Sequence, residues 1–191
     1  MRVFVALDIP EQVRSGISAF CAKLKGACPQ ARWARVENLH VTLQFVGEVS
    51  GEIVERIKAE LAAIRLGAPV EMSFRNVGFF PSDRRPRVFW IGIHATPNLA
   101  KLAAETAQRL EPLDIPREPR PFRPHLTLAR FNSHEGIERL REELGKVESL
   151  EFGSTQTGEL HLYRSELKPG GAQYTRLETV PFATFAGGAK K

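Results

Sequence analysis

Apolar residues recur at three- and four-residue steps from Glu11 onward, at Val13, Ile17, Phe20, Cys21 and Leu24, and this spacing predicts an amphipathic helix. A matching run carries Leu99, Leu102, Ala103, Thr106 and Leu110, with Asn98 as the predicted cap. Two more helices are predicted, one capped by Ser50 with Ile53, Ile57, Leu61 and Ile64, the other capped by Ser133 with Ile137, Leu140 and Leu144. Short apolar runs read as strands at Arg2 to Ala6, at Arg87 to Ile91 and, with mixed patterning, at Val70 to Phe79. A C-terminal pair, Thr157 to Leu167 and Gln173 to Val180, is joined through Pro169-Gly170-Gly171 and reads as a hairpin.

The pattern repeats once. Arg2-Val3-Phe4-Val5-Ala6 aligns with Arg87-Val88-Phe89-Trp90-Ile91, and His40-Val41-Thr42-Leu43 aligns with His125-Leu126-Thr127-Leu128, both at an offset of 85 residues. Each half therefore reads as an opening strand, a helix, a strand bearing a His-x-Thr-x tetrad, and a second helix. The expected class is α+β: a bilobal, pseudo-twofold repeat of locally paired antiparallel sheets with flanking helices and a central groove, with a doubly wound parallel sheet as the competing architecture. Residues 1–186 are expected to form this single domain, and the glycine- and lysine-rich residues 187–191, with nothing to bury, a flexible tail. Prolines crowd the segment from Pro112 to Pro124, which reads as an ordered or semi-extended loop delivering the chain to His125.

Composition narrows the class. The chain has 191 residues, 42% of them hydrophobic and 26% charged, enough to build one core. No stretch approaches the ~20 consecutive apolar residues of a membrane-spanning helix, and the opening residues carry Asp8 and lack a cleavage signature, so a mature cytoplasmic chain is expected. Two cysteines, Cys21 and Cys28, suggest buried thiols and neither a disulfide framework nor a zinc cluster. The net charge of +5 favours a polyanionic partner.

The tetrads carry the chemistry. On a strand, residues two apart share a face, so His40 points with Thr42 and His125 with Thr127, while Val41, Leu43, Leu126 and Leu128 anchor the opposite faces. If the halves face each other, four polar side chains converge on a phosphate-sized space. Opening a cyclic phosphodiester needs a base for the attacking water and an acid for the departing alkoxide, and two imidazoles with an ordinary pKa of about 6.5 suit that pair. Threonine hydroxyls can hold the non-bridging oxygens. A single His-x-Thr is more often an ordinary side-chain pair, whereas two copies at equivalent places in a repeat are hard to ascribe to coincidence. Metal binding is disfavoured, because threonine is not a usual zinc ligand and neither tetrad has a nearby Cys, Asp or second His. No metal or cofactor is demanded.

A resemblance extends over nearly the whole chain, in Arg32-Trp33, Glu37 to Gly47, Phe79-Phe80-Pro81, Arg85 to Trp90, Phe122 to Arg130 and Leu162 to Ser165. In these stretches the sequence resembles the two-histidine phosphoesterases, and among them the RNA 2′,3′-cyclic phosphodiesterases, historically called 2′-5′ RNA ligases. The resemblance implies a bilobal fold, metal-independent hydrolysis of RNA 2′,3′-cyclic phosphate ends to 2′-phosphomonoesters, and a reverse reaction joining ends through a 2′-5′ linkage. It implies His40 as proton donor, His125 as proton acceptor, and Thr42 and Thr127 as phosphate-holding groups. The expected partners are RNA ends such as tRNA fragments, or nucleotides with a 2′,3′-cyclic phosphate, acted on by a monomer. Five positions past each histidine stand Phe45 and Arg130; Phe45 is either a base-stacking or a core aromatic, and Arg130 either pairs with phosphate or is a solvated charge.

His94, His134 and His161 have no counterpart across the repeat and read as surface or hydrogen-bonded core residues. Arg84, Arg85, Arg87, Arg117, Arg120 and Arg123 form either a phosphate-tracking rim or a solvated face, and Trp33 is a further stacking candidate. Two other functions compete: a non-catalytic module gripping an RNA phosphate end, and a phosphodiesterase for small cyclic nucleotides or ADP-ribose cyclic phosphate.

Overall fold

In the computed structural model, which describes residues 1–169 and 171–183, the described strands form two antiparallel sheets. The first is ordered β3 (His40–Glu48), β1 (Arg2–Asp8), β8 (Glu159–Lys168), β9 (Gly171–Pro181). The second is ordered β2 (Arg32–Trp33), β6 (His125–Arg130), β5 (Val88–Ala95), β4 (Val70–Phe80), β7 (Glu151–Thr157). Both tetrads begin their strands, and β3 runs beside β6 with Cα atoms within 8 Å across the seam between the sheets. The fold is α+β and bilobal, as expected, with antiparallel strands throughout; the doubly wound alternative is excluded by the absence of parallel pairing among the described strands.

The helices follow the apolar spacing. In α1 (Glu11–Lys25) the buried residues are Val13, Ile17, Phe20, Cys21 and Leu24, and in α3 (Pro97–Leu110) they are Leu99, Leu102, Ala103, Thr106 and Leu110. Ser50 caps α2 (Gly51–Ala62) by accepting from the Ile53 amide at 3.3 Å. The other two predicted caps are corrected. The residue before α3 is Thr96, and the Asn98 amide instead donates to the Pro69 carbonyl at 3.1 Å. Helix α4 (Ile137–Leu144) begins after Gly136, whose φ of +79° makes the turn into the helix that Ser133, three residues earlier, cannot make. The proline-rich segment opens with one 3₁₀ turn, Glu111–Leu113, before running irregularly to His125.

Pairing is local only in part: β1 pairs with β3 and β5 with β6 inside their own halves, while other elements are exchanged. The C-terminal hairpin β8–β9 completes the sheet of the first tetrad, whereas β2 and β4, both from the first half, join the second. Helix α1 likewise crosses over to the second sheet: Phe20 stacks edge-on against Phe152 with centroids 5.0 Å apart, and Val13 abuts Gly153. Helix α3 crosses the other way to lie against β3 and α2. Each half thus covers the other's sheet, so one continuous core binds the lobes. No helix among the described residues is long and apolar enough to cross a membrane. The expected tail, 187–191, lies outside the described residues.

Candidate active site

Each tetrad strand alternates as its sequence requires. Val41, Leu43, Leu126 and Leu128 are buried, and His40, Thr42, His125 and Thr127 are half-buried on the opposite faces. Strict alternation would then turn Phe45 and Arg130 into the core. A β-bulge prevents this at the same position in both strands. Pairing skips from Gln44 to Thr42 along β1 and from Ala129 to Thr127 along β5, so Leu43 and Leu128 are the extra residues. Two successive buried residues follow each threonine, and Phe45 and Arg130 return to the histidine face. Phe45 is 63% exposed, which rules out its core alternative, and Arg130 is exposed as well.

The two histidines are held alike. His40 Nδ1 lies 2.7 Å from the Asn38 carbonyl, and His125 Nδ1 lies 2.7 Å from the Arg123 carbonyl. A carbonyl only accepts, so each Nδ1 carries the proton and each Nε2 is left free for a substrate. Both carbonyls are themselves braced. Arg14 of α1 donates to the Val36 and Glu37 carbonyls at 2.8 and 2.9 Å, fixing the 3₁₀ turn Val36–Asn38, and the Asn38 amide donates to the Ala172 carbonyl at 2.7 Å. The proline-rich segment that ends at Arg123 is tied to the other tetrad, since buried Gln44 donates to the Pro116 carbonyl at 3.0 Å.

The surroundings of the rings differ. His40 stacks on Phe4 at 4.6 Å between centroids and meets Tyr174 edge-on at 5.3 Å, and Asp8 is its direct partner across the β1–β3 pair. Burial pushes its pKa below the ordinary value; the Asn38 carbonyl and the Asp8 carboxylate push it up, and Arg14 pushes it down. His125 meets Phe80 edge-on at 5.1 Å, and Phe80 packs on Trp90 at 5.0 Å. Burial lowers the His125 pKa as well, the Arg123 carbonyl raises it, and the nearby charge is the Arg130 guanidinium, which lowers it. An anion and a cation act on the first ring, a cation alone on the second.

Several candidates fall elsewhere. Trp33 is half-buried against the core, its indole nitrogen donating to the Cys28 carbonyl at 2.9 Å and its ring edge-on to Phe89 at 6.1 Å. Arg117 pairs with Glu111 and Arg120 with Glu118, so two of the six arginines of the expected rim are engaged in local ion pairs. Arg84, Arg85, Arg87 and Arg123 have no carboxylate partner among the described residues. Cys21 and Cys28 are free, buried thiols. His161 is 2% exposed and belongs to a polar cluster that the sequence did not reveal. Its Nδ1 pairs with the Thr179 hydroxyl at 3.0 Å and its Nε2 lies 3.6 Å from Asp8. Its members are scattered along the chain, and only their place at equivalent registers of one sheet joins them.

Comparison with known proteins finds similarity over almost the whole chain. The family described as LigT like Phosphoesterase matches the chain twice, over residues 7–90 and 91–174. The RNA 2′,3′-cyclic phosphodiesterase of Methanothermobacter thermautotrophicus is 34% identical over 179 residues, covering 93% of this chain and 97% of that protein. A Thermus thermophilus crystal structure superposes with a TM-score of 0.79 at 30% identity, covering 95% of this chain and 98% of that one. Escherichia coli LigT complexed with 3′-AMP superposes with a TM-score of 0.76 at 28% identity, covering 95% and 97%.

Proposed function

The chain belongs to the LigT-like phosphoesterase family, and from that premise we propose that it hydrolyses RNA 2′,3′-cyclic phosphate ends to 2′-phosphomonoesters, with His40 and His125 as acid and base. The observation that carries this reading is the matched pair of imidazoles on adjoining strands, each with Nδ1 engaged by the carbonyl two residues earlier and Nε2 unengaged among the described residues.

In the reaction, His125 Nε2 takes a proton from a water in line with the P–O3′ bond. The oxygen bonds to phosphorus, the P–O3′ bond breaks, and His40 Nε2 gives its proton to the departing O3′, leaving the phosphate on O2′. The roles follow the neighbours: Asp8 favours the imidazolium a donor must be, and Arg130 favours the neutral ring a base must be. Thr42 and Thr127 donate to the non-bridging oxygens, where negative charge grows in the transition state. Phe45 offers an exposed ring to the terminal base, and Arg130 pairs with phosphate. A 5′-hydroxyl in place of the water gives the 2′-5′ linkage by the same proton transfers, so ligation is this reaction with a different nucleophile.

The test is end-group analysis of an RNA oligomer bearing a 2′,3′-cyclic phosphate, incubated with the protein and a chelator. A 2′-phosphate product is expected; a 3′-phosphate, or no turnover, overturns the proposal. A mononucleotide 2′,3′-cyclic phosphate run in parallel separates an RNA enzyme from one acting on small cyclic nucleotides, because only the former gains from added phosphates.

A further inference from the structure

We propose that Asp8, clamped by Tyr163 and Arg176 of the C-terminal hairpin, is the positioning residue that keeps His40 the proton donor of the pair, and that Arg176 sets how much of the Asp8 charge reaches His40. This rests on the acid–base reading above and adds what determines the roles.

The geometry is that of one sheet face. Asp8 stands opposite His40 across β1–β3, and Tyr163 on β8 stands opposite Phe4, with Arg176 opposite Tyr163 on β9. The Tyr163 hydroxyl donates to Asp8 Oδ1 at 2.5 Å, and Arg176 pairs with Asp8 Oδ2 while also donating to the Tyr163 oxygen at 3.2 and 3.3 Å. Burial and the bond to Asp8 push the Tyr163 hydroxyl up to about 12, so it stays a donor throughout the neutral range. The same Phe4 ring that floors His40 also stacks on Tyr163 at 5.4 Å and meets Tyr174 at 4.9 Å, which joins the clamp to the histidine through one aromatic block.

The arrangement answers a need. A ring enclosed by Phe4 and Tyr174 loses hydration, and hydration is what favours an imidazolium; a donor in that position requires a compensating anion. Around His40, β1 supplies the anion Asp8, α1 supplies Arg14, and β9 supplies Tyr174, while Arg176 of β9 reaches Asp8 itself. His161 and Glu159 on β8 are the remaining titratable groups about Asp8, with the His161 Nε2 3.6 Å from Asp8 and 3.7 Å from Glu159. Burial holds His161 toward its neutral form, so it does not discharge Asp8 near neutral pH. Arg176 does oppose Asp8, and this makes the proposal sharp: removing the anion and removing its cation must move His40 in opposite directions.

The experiment is the ring titration of each histidine by NMR in the free, full-length protein, for the wild type and for Asp8→Asn, Arg176→Gln and Tyr163→Phe. Asp8→Asn is expected to lower the His40 midpoint by about 0.5 to 1 pH unit, less than the 1–3 units of an unshielded neighbour because Arg176 shields it. Arg176→Gln is expected to raise the His40 midpoint. Tyr163→Phe changes it less than either, and His125 is unmoved in all three. In turnover, the limb of the pH profile that follows His40 moves with it. A His40 midpoint unchanged in Asp8→Asn, or moving the same way in Asp8→Asn and Arg176→Gln, overturns the proposal. If Asp8→Asn does not fold, Arg176→Gln decides alone, and any result but an upward move overturns it. The titration reads the ring whether or not the protein turns over a cyclic phosphate, so its failure and failure of the proposed activity are separate outcomes.

Discussion

The His40 side and the His125 side of the seam share a strand motif, a bulge, a carbonyl on Nδ1 and a buried aliphatic anchor, yet different charges act on their rings, Asp8 and Arg14 on one and Arg130 on the other. His40 sits against Asp8 and two aromatic rings of its own sheet. His125 sits against Phe80, with the Arg130 guanidinium acting on it. On the proposed mechanism, two equivalent imidazoles are given different work by the residues around them. A symmetric pair would be poorly suited to acid–base catalysis, which needs one ring charged and the other neutral at the same pH. The difference also resides in different parts of the chain. The His40 environment is completed by β8 and β9 from the far C-terminus, while the His125 environment is completed by β4 and β5 just ahead of its own strand.

The largest expected effect tests the shared motif. His40→Ala and His125→Ala should each lower kcat by about 10³- to 10⁴-fold, with the double variant falling little further because the two act as a unit. A substrate with sulfur in place of O3′ then separates them. A thiolate leaves without a proton, so His40→Ala should recover much of its rate on that substrate and His125→Ala should not; equal recovery in both would erase the division of roles. Next come the threonines. Thr42→Val and Thr127→Val should each cost about 10²-fold in kcat, the range seen on removing one donor from an anion-stabilising site, with folding retained as judged by thermal unfolding.

A smaller effect is confined to one side. A Cβ on Gly78 would fall 2.2 Å from the Trp90 indole, which lies across β4 at that point and supports Phe80 against His125. Gly78→Ala must displace that indole, and the overpacking should cost about 1 to 3 kcal/mol in denaturant unfolding. Its signature is a disturbed His125 titration with His40 unchanged. If both rings respond, the two sides are not independently built.

What was readable in the sequence and what was not divide along a physical line. The buried faces of α1 and α3 coincide residue by residue with their apolar spacing, because a helix expresses its burial in local periodicity. The tetrads were readable for the same reason, since alternation along a strand is local, and repetition made them significant. Strand β7 is not legible in the sequence because an edge strand of mostly polar residues, Glu151–Thr157, carries no apolar alternation, and β2 has only two residues. The bulges and the exchange of elements between sheets are pairing decisions between distant segments, on which local pattern is silent. The Asp8 cluster is the extreme case, because its hydrogen bonds join residues 155 and 168 positions apart, and no motif spacing points from Asp8 to Tyr163 or Arg176.

The smallest effect concerns stability on the His40 side, through the fully buried His161. His161 is nearly sealed from water, and burial lowers its pKa below 6.5 despite the carboxylates of Asp8 and Glu159. The unfolded chain takes up a proton near pH 6.5 that the folded chain refuses until lower pH. Unfolding is therefore favoured progressively as pH falls through that window, and the stability rises with pH across it. His40 and His125, lowered in the same direction, add to the slope. His161→Gln, which keeps a polar group facing Thr179, should remove one of these three contributions. The urea midpoint of the variant should fall less between pH 8 and pH 5 than that of the wild type, while Asp8→Asn should steepen the wild-type fall by removing an anion that favours both His40 and His161 in their charged forms. An unchanged slope in His161→Gln would mean that His161 takes up its proton in the folded chain as readily as in the unfolded one, and that the clamp around Asp8 admits a second positive charge.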